Sequence, residues 1–146
     1  MASSFPFDNE NIGAGPFLTL KISTAANQGF TQSDVDSGTT ACVISANNTV
    51  AKGGAGERLF GKVIWVSEEL VSGTTVPVLC SIQARGVARF HYTTTAPTIG
   101  NWVEVDGTGK VRQASTTADV PAGGLKHNGQ VIAVNTTDQT CDVWLG

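Results

Sequence analysis

Charge is scarce in this sequence. Charged side chains make up 14% of the 146 residues, and the formal net charge is −3 with a pI near 5.2. Globular domains usually carry about 25% charged residues. The sequence has no basic stretch that would follow a phosphate backbone, so we expect no nucleic-acid partner. A weakly charged surface suits close contact with other protein better than long-range electrostatic steering.

Long apolar runs are also missing. No run approaches the roughly 20 apolar residues of a membrane-spanning helix, and no basic segment followed by an apolar one marks a secretory signal. We therefore expect no membrane partner. The three cysteines, Cys42, Cys80 and Cys141, form no C-x-x-C pair and cannot all pair with one another. This favours a reduced cytoplasmic origin and buried thiols.

Metal-ligating residues are few. The two histidines, His91 and His127, have no cysteine or carboxylate at ligand spacing, so we expect neither a metal site nor a cofactor. The stretch Asp8–Asn11 lacks the ligand number and the glycine of an EF-hand loop. Because side chains alternate along a strand, His91 is expected on the solvent side, together with Arg89.

One motif has a catalytic interpretation. Asp36-Ser37-Gly38-Thr39 fits the D-[ST]-G-[ST] signature of aspartic proteases, in which the aspartate shares a proton with a second carboxylate. However, the preceding Gln32-Ser33-Asp34 is polar, whereas these proteases bring the aspartate in on an apolar strand. Thr98-Ile99-Gly100 is also a poor flap. Asp-Ser-Gly is common turn chemistry. We predict a turn and no catalytic residue, and keep a retroviral-type aspartic protease as an alternative.

The first sixteen residues, MASSFPFDNENIGAGP, show no helical or strand period. Their prolines and glycines argue against a helix or a central strand. We predict an extended N-terminal arm over residues 1–16 and a single β-rich domain over residues 17–146. Phe5, Phe7 and Phe17 would be apolar anchors of the arm.

Short runs of β-branched and aromatic residues, separated by turn residues, follow the arm. Their spacing predicts an all-β fold, a small β-barrel or β-sandwich, with at most one short helix within Ala25–Asp36. The predicted strands are Phe17–Ile22, Thr40–Ser45, Phe60–Val66, Val76–Gln83, Val87–Tyr92, Asn101–Val105, Lys110–Gln113, Gln130–Asn135 and Thr140–Leu145.

Two tryptophans are predicted on polar strand faces. Period-two alternation places Trp102 with Glu104, and Trp144 with Asp142. Such a tryptophan is either covered by a loop of its own chain or buried against another subunit. Trp65 lies in a run that is apolar on both faces and is expected in the core. The predicted interface residues are Phe5, Phe7, Phe17, Trp102 and Trp144.

The second half of the chain carries a family resemblance. It contains Gly100-Asn101-Trp102-Val103, Asp106-Gly107-Thr108-Gly109-Lys110-Val111, Gly129-Gln130-Val131-Ile132-Ala133 and Val143-Trp144-Leu145. This succession resembles the last strands of the small β-barrels in tailed-phage capsid decoration (cement) proteins. The stretch from Thr31 to Ala55 has no counterpart in that pattern.

The resemblance implies a structural virion protein that binds the outside of a phage head and stabilises it. Members of that family commonly act as trimers at local threefold positions, with an arm that orders along the shell. The implied partners are the major capsid protein and further copies of this chain. The implied location is the capsid exterior, after synthesis in the host cytoplasm. The family has no catalytic residues to transfer. A phage tail or fibre-associated β-module is a further alternative.

Overall fold

A computed structural model describes residues 8–115 and 129–146. Their regular secondary structure is almost entirely β-strand, which confirms the predicted all-β fold class. The elements are β1 Leu18–Ile22, α1 Gln32–Asp36, β2 Ala41–Ala46, β3 Thr49–Ala51, β4 Gly61–Val71, β5 Thr74–Gln83, β6 Val87–His91, β7 Val103–Val105, β8 Val111–Gln113, β9 Gln130–Asn135 and β10 Thr140–Trp144.

The first five strands form a closed ring in the order β1-β3-β2-β4-β5. Strand β1 closes it by pairing with β3 in parallel and with β5 antiparallel. The remaining strands form a three-stranded sheet, β6-β10-β9, and a two-stranded sheet, β7-β8. A bridge between Trp102 and Gln130 links the two smaller sheets. The fold therefore combines a small barrel with a second β layer.

Strand β2 separates two hydrophobic cores. Cys42 points into the barrel with Phe30 and Ile82, whereas Ala41 and Val43 face the second core. That second core fills the space between the barrel and the two smaller sheets. Because successive side chains of a strand point to opposite faces, a strand between two cores is apolar on both. This explains the uninterrupted apolar run Ala41–Val43.

The β4–β5 hairpin is longer than predicted. The predicted third strand ends at Val66, before the polar residues Ser67-Glu68-Glu69. In the structure β4 continues to Val71 and pairs with β5 through the register Val71↔Thr74. Ser72 and Gly73 both have positive φ, 51° and 81°, as two-residue hairpin turns of type I′ require. The polar residues face solvent on a projecting ribbon, so polarity did not end the strand.

The prediction that Trp65 lies in the core is wrong. Its side chain is 59% exposed. A register shift between Val63 and Trp65 puts an extra residue, Ile64, into β4 opposite β5. Such a bulge reverses the inward and outward order of the residues that follow it. Val63 and Val66 therefore both face the barrel core, and Trp65 faces outward.

The described part of the N-terminal segment is not an extended thread. Residues 10–13 form turns, and Ala14 is buried. Val87 at the start of β6 accepts a hydrogen bond from Asn11 N and donates one to Ile12 O. The segment from Asp8 to Ala14 is therefore attached to the second β layer. Phe5 and Phe7 lie outside the described residues.

A short helix lies where the sequence allowed one. Thr31 caps α1, because its side chain accepts from Asp34 N while the Asp34 carboxylate accepts from Thr31 N. This reciprocal capping box stabilises a helix start. Asp36 is the last residue of α1 and Ser37 is its C-cap. Asp36 is thus the last helical residue, and the predicted turn follows it at Ser37-Gly38.

Candidate functional site

The most distinctive surface of the molecule is a row formed by Trp102, Gln130 and Trp144. Trp102 bridges Gln130, and Gln130 is also the antiparallel partner of Trp144 in β10. Residues directly opposite each other in an antiparallel pair have their side chains on the same face. Trp102 is 50% exposed and Trp144 is 46% exposed. Two half-exposed indoles therefore flank one glutamine; we call this set the tryptophan row.

Backbone hydrogen bonds hold the row in place. Val131 N donates to Asn101 O at 2.9 Å, and Val103 N donates to Gly129 O at 3.1 Å. The Gln130 side chain adds a bond from Nε2 to Gly100 O at 2.8 Å. Trp102 is thus fixed against β9 although it lies just outside β7.

Gly129 permits the close approach of β9 and β10. Its φ is 101°, a conformation that disfavours residues with a side chain. A Cβ at this position would also collide with the Val143 side chain. Both the backbone conformation and the packing against Val143 therefore favour glycine at position 129.

Two further exposed apolar side chains belong to the segments that form the row. Ile132, two residues after Gln130, is 40% exposed. Ile99 is 62% exposed and precedes Gly100, whose N–H donates to Val131 O. A tryptophan buries up to about 250 Å², so each half-exposed indole offers roughly 100 Å². A standard protein interface needs about 800 Å² per partner, so the row is the size of an interface centre.

The acidic residues predicted to share solvent-facing surfaces with the tryptophans are buried. Glu104 is 0% exposed and Asp142 is 1% exposed. Arg112 Nε donates to Glu104 Oε2 at 2.8 Å, and Ser115 N donates to Glu104 Oε1 at 3.1 Å. Alternation along the strands predicted the exposure of the two tryptophans correctly, but it did not predict the burial of Glu104 and Asp142. A carboxylate can be buried when a cation pairs with it, and alternation does not reveal that cation.

Asp142 belongs to a larger charged cluster around Arg89. The Arg89 guanidinium contacts Asp142, Asp8 and Glu10, with the shortest N–O distances at 2.7, 2.9 and 2.9 Å. The hydrogen bond to Asp142 raises the pKa of Arg89 above its ordinary value. The hydrogen bond from Glu10 N lowers the pKa of Asp8. Burial lowers the pKa of Lys62, against the opposite effect of Glu10.

His91 is partly buried rather than on the solvent side. Its ring packs against Gly38, where an added Cβ would collide with it. Burial, then Lys110 and Lys62, lower the pKa of His91, whereas Asp138 opposes the change. His91 and Asp36 both line a cavity of about 150 Å³ beside Arg89. Asp36 Oδ1 accepts a hydrogen bond from Gln32 Nε2 at 3.0 Å, one helical turn earlier.

The structure brings together only part of the predicted interface. Trp102 and Trp144 each pair with Gln130. Phe17, which is 51% exposed, lies before β1 and lines a cavity to which neither tryptophan contributes. Gln130 and Ile132 were not among the predicted interface residues. Alternation within Gln130–Asn135 places Ile132 opposite to Val131, which is a usable signal. The register that puts Gln130 between two tryptophans is not readable from the sequence.

The three thiols are unpaired and buried, as predicted. Burial raises the pKa of Cys80 to about 11 and that of Cys141 to about 12, and it also raises the pKa of Cys42. A thiol protonated at neutral pH is a poor nucleophile.

Across residues 8–115 and 129–146, no three histidine, cysteine or acidic side chains are grouped to hold a metal ion. The described part of the chain also contains no helix long and apolar enough to cross a membrane.

Comparisons with protein-family models, with curated proteins and with solved structures found no match.

Proposed function

We propose that this protein is a structural protein of a tailed-phage head that binds the outside of the capsid and stabilises it, acting as a homotrimer. The observation that carries the proposal is the tryptophan row, with Trp102 and Trp144 half-exposed on either side of Gln130. Tryptophan is enriched at the energetic centres of interfaces. The capsid partner and the threefold symmetry come from the resemblance of the second half of the chain to decoration proteins.

The row suits a contact between subunits. Covering roughly 100 Å² on each indole contributes about 2.5 kcal/mol at ~25 cal/mol per Å². Association costs about 4–15 kcal/mol in lost freedom of motion. Two indoles alone do not overcome the upper part of that range. Ile99 and Ile132, both exposed on the segments that form the row, add further apolar area.

The weak surface charge supports the same function. With 14% charged residues, the chain avoids the desolvation cost that a highly charged face meets on assembly. The charges of the Arg89 cluster are largely paired within the subunit, because Asp142, Asp8 and Glu10 surround the guanidinium. Lys62 Nζ also lies 3.8 Å from Glu10 Oε1. A face of this kind forms stable protein contacts without a matching charge pattern on the partner.

Sedimentation velocity tests the self-association. The wild-type protein should sediment as a species whose mass is about three times the 15.1 kDa of one chain. Trp102→Ala and Trp144→Ala should shift it toward monomer while the β signal in circular dichroism persists. Trp65→Ala is the matched control, because Trp65 is 59% exposed but lies on the outer surface of the barrel. A wild-type monomer at high micromolar concentration would contradict the proposal.

A second experiment tests the capsid role. Heads assembled from the major capsid protein encoded in the same genome should bind the protein in a sedimentation assay and resist heating better once bound. The tryptophan variants should bind with lower avidity, since each subunit would then bind alone. Binding to purified tails and not to heads would identify the tail-associated alternative instead.

The proposal includes the absence of catalysis. Asp36 ends a helix, whereas aspartic proteases present their aspartate after an apolar strand. Peptide hydrolysis should be undetectable between pH 3 and 7, the range in which a carboxylate dyad works. Pepstatin-sensitive cleavage that disappears in Asp36→Asn would establish the protease alternative.

A further inference from the structure

The β4–β5 hairpin extends beyond the barrel as a ribbon of only two strands. Strand β1 pairs with β5 no further along the hairpin than Leu79, and β2 pairs with β4 at Gly61 and Lys62. From Ser67 to Val78 no third strand among the described residues lies beside the ribbon. A free strand edge presents backbone N–H and C=O groups that can pair with another chain.

One of the two edges of the ribbon is blocked by a proline. The pair that closes a two-residue turn, here Val71 and Thr74, is hydrogen-bonded, and along the ladder such pairs alternate with pairs whose N–H and C=O groups point outward. The outward-pointing pairs are Leu70↔Thr75 and Glu68↔Pro77. Because Pro77 has no N–H, the β5 edge is a poor template for an added strand. The β4 edge has no such block.

The β4 edge is covered near the barrel and open beyond it. Val66 N donates to Gln32 Oε1 at 2.9 Å, so a side chain of α1 takes the place of a strand there. Glu68 Oε1 in turn accepts from Gln32 N at 3.0 Å. No hydrogen bond from the described residues reaches the outward backbone groups of Glu68 and Leu70. The segment Ser67–Val71 is therefore an open strand edge.

An apolar stripe runs along the outer face of the ribbon. Trp65 faces outward, and alternation along β4 puts Glu69 and Val71 on the same face. The exposed apolar side chains of this face are Trp65, Val71, Val76 and Leu79. A strand added beside Ser67–Val71 would cover part of this stripe and remove apolar surface from water.

Glu69 determines which partner fits the open edge. Its side chain has no hydrogen bond or ion pair with another described residue, and residues 63–84 contain no lysine or arginine. Lys21, opposite Leu79, lies at the barrel end of the stripe. Two copies paired antiparallel about the centre of the edge would place their Glu69 carboxylates opposite each other, which is destabilising. A basic residue of a different protein would instead pair with Glu69.

We propose that the edge Ser67–Val71 accepts an extended segment of a partner protein, which adds as a strand and places a lysine or arginine opposite Glu69 with apolar residues two positions before and after it. The backbone groups of Glu68 and Leu70 supply hydrogen bonds, and the apolar stripe supplies side-chain contacts. This surface is separate from the tryptophan row, and its role does not depend on the head-decoration function.

Two capped heptapeptides serve as probes: Thr-Val-Thr-Lys-Thr-Val-Thr and the same peptide with glutamate in place of lysine. In ¹⁵N TROSY titrations the lysine peptide should shift the amide signals of Glu68 and Leu70 and bind at least about threefold more tightly than the glutamate peptide. Glu69→Lys should reverse this preference, because the charge at the centre of the edge is then reversed. Equal affinities of the wild-type protein for the two peptides, or the same preference in Glu69→Lys, would overturn the proposal.

A pair of proline variants tests which edge binds. Leu70→Pro removes an N–H from the β4 edge, and Thr75→Pro removes that of the residue directly opposite, on the β5 edge. Both N–H groups point away from the β4–β5 ladder, so the hydrogen bonds within the ribbon remain. Binding of the lysine peptide should fall at least about tenfold in Leu70→Pro and stay unchanged in Thr75→Pro. Leu70→Thr keeps the N–H and controls for loss of the leucine side chain.

Three other outcomes would contradict the proposal. Equal losses of binding in the two proline variants would mean that the β4 edge is not the acceptor. Amide signals of Glu68 and Leu70 that shift with protein concentration in the absence of peptide would identify a second copy of this chain as the occupant. Binding of neither peptide at millimolar concentration would show that the edge accepts no strand. If Leu70→Pro does not fold, the charge reversal at Glu69 still decides.

Discussion

Arg89 and Asp142 form a two-bond ion pair across neighbouring strands. Arg89 Nε donates to Asp142 Oδ1 at 2.7 Å, and Arg89 Nη2 donates to Oδ2 at 3.1 Å. The two residues are opposite each other in the β6–β10 register. The Asp142 side chain is 2% exposed and that of Arg89 is 20% exposed. The pair therefore lies largely out of water, where loss of one partner has a large effect.

Replacing the cation should destabilise the fold strongly. Arg89→Met would leave the Asp142 carboxylate buried without compensation, which typically costs about 3–5 kcal/mol. Urea unfolding followed by circular dichroism measures the loss. The double variant Arg89→Met/Asp142→Leu should recover much of it, because the buried charge is then gone. A double variant no more stable than Arg89→Met would show that the pair's charges do not determine the effect.

Stability should decrease as the pH falls below the ordinary pKa of histidine. The pKa of His91 is lowered, first by burial and then by Lys110 and Lys62. The unfolded chain therefore takes up the proton at a higher pH than the folded protein does. Its stabilising contribution is complete above about pH 6.5 and is lost as the pH falls through the folded pKa.

The matching experiment compares urea midpoints at pH 7.5 and 5.0. The wild-type midpoint should fall over this interval, and His91→Gln should show a smaller fall because it removes the titrating group. Asp138 opposes the lowering of the His91 pKa but does not reverse it. An equal fall in both proteins would assign the pH dependence to other groups.

Gly38 should be much more sensitive to substitution than Gly73. Both have positive φ, 87° and 81°, so alanine at either position carries a similar backbone cost of about 1 kcal/mol. At Gly38 the added Cβ would also collide with the His91 ring, whereas at Gly73 it meets open space. Gly38→Ala should lower the melting temperature by clearly more than Gly73→Ala does. Equal losses would mean that the histidine ring moves aside without cost.

Truncation should distinguish the two parts of the N-terminal segment. Deleting residues 2–15 removes the hydrogen bonds of Asn11 and Ile12 to Val87, and the ion pairs of Asp8 and Glu10 with Arg89. The melting temperature should therefore fall. Deleting residues 2–7 keeps all of these contacts and is the control. If the longer deletion leaves the melting temperature unchanged, the contacts around Val87 and Arg89 contribute little to stability.

Sequence patterns predicted most strands because local composition determines where they begin and end. Gln130–Asn135 has the predicted bounds, and Thr140–Trp144 ends one residue earlier than predicted. Strand β3 was missed, because Thr49–Ala51 is too short to show a period. It forms because the Asn47-Asn48 turn, with φ of 50° at Asn48, returns the chain beside β2.

The candidate site was less predictable than the strands. Exposure of Trp102 and Trp144 followed from simple alternation, but the position of Trp65 depended on a bulge that no composition signal marks. Trp102 and Trp144 lie near each other only because two separate segments both pair with the strand that carries Gln130. The ion pairs that bury Glu104 and Asp142 depend on Arg112 and Arg89, and in the second case the partner is 53 residues away. Such long-range pairings are tertiary properties.

The position of β2 between the two cores has a consequence for how the protein unfolds. Cys42 is anchored in one compartment, and its neighbours Ala41 and Val43 are anchored in the other. Strand β2 cannot leave one hydrophobic core and stay in the other, because the same backbone segment borders both cores. The barrel and the second β layer should therefore open as one cooperative unit. In native-state hydrogen exchange, amides of β2, β5 and β10 should share a single protection free energy rather than dividing into two groups.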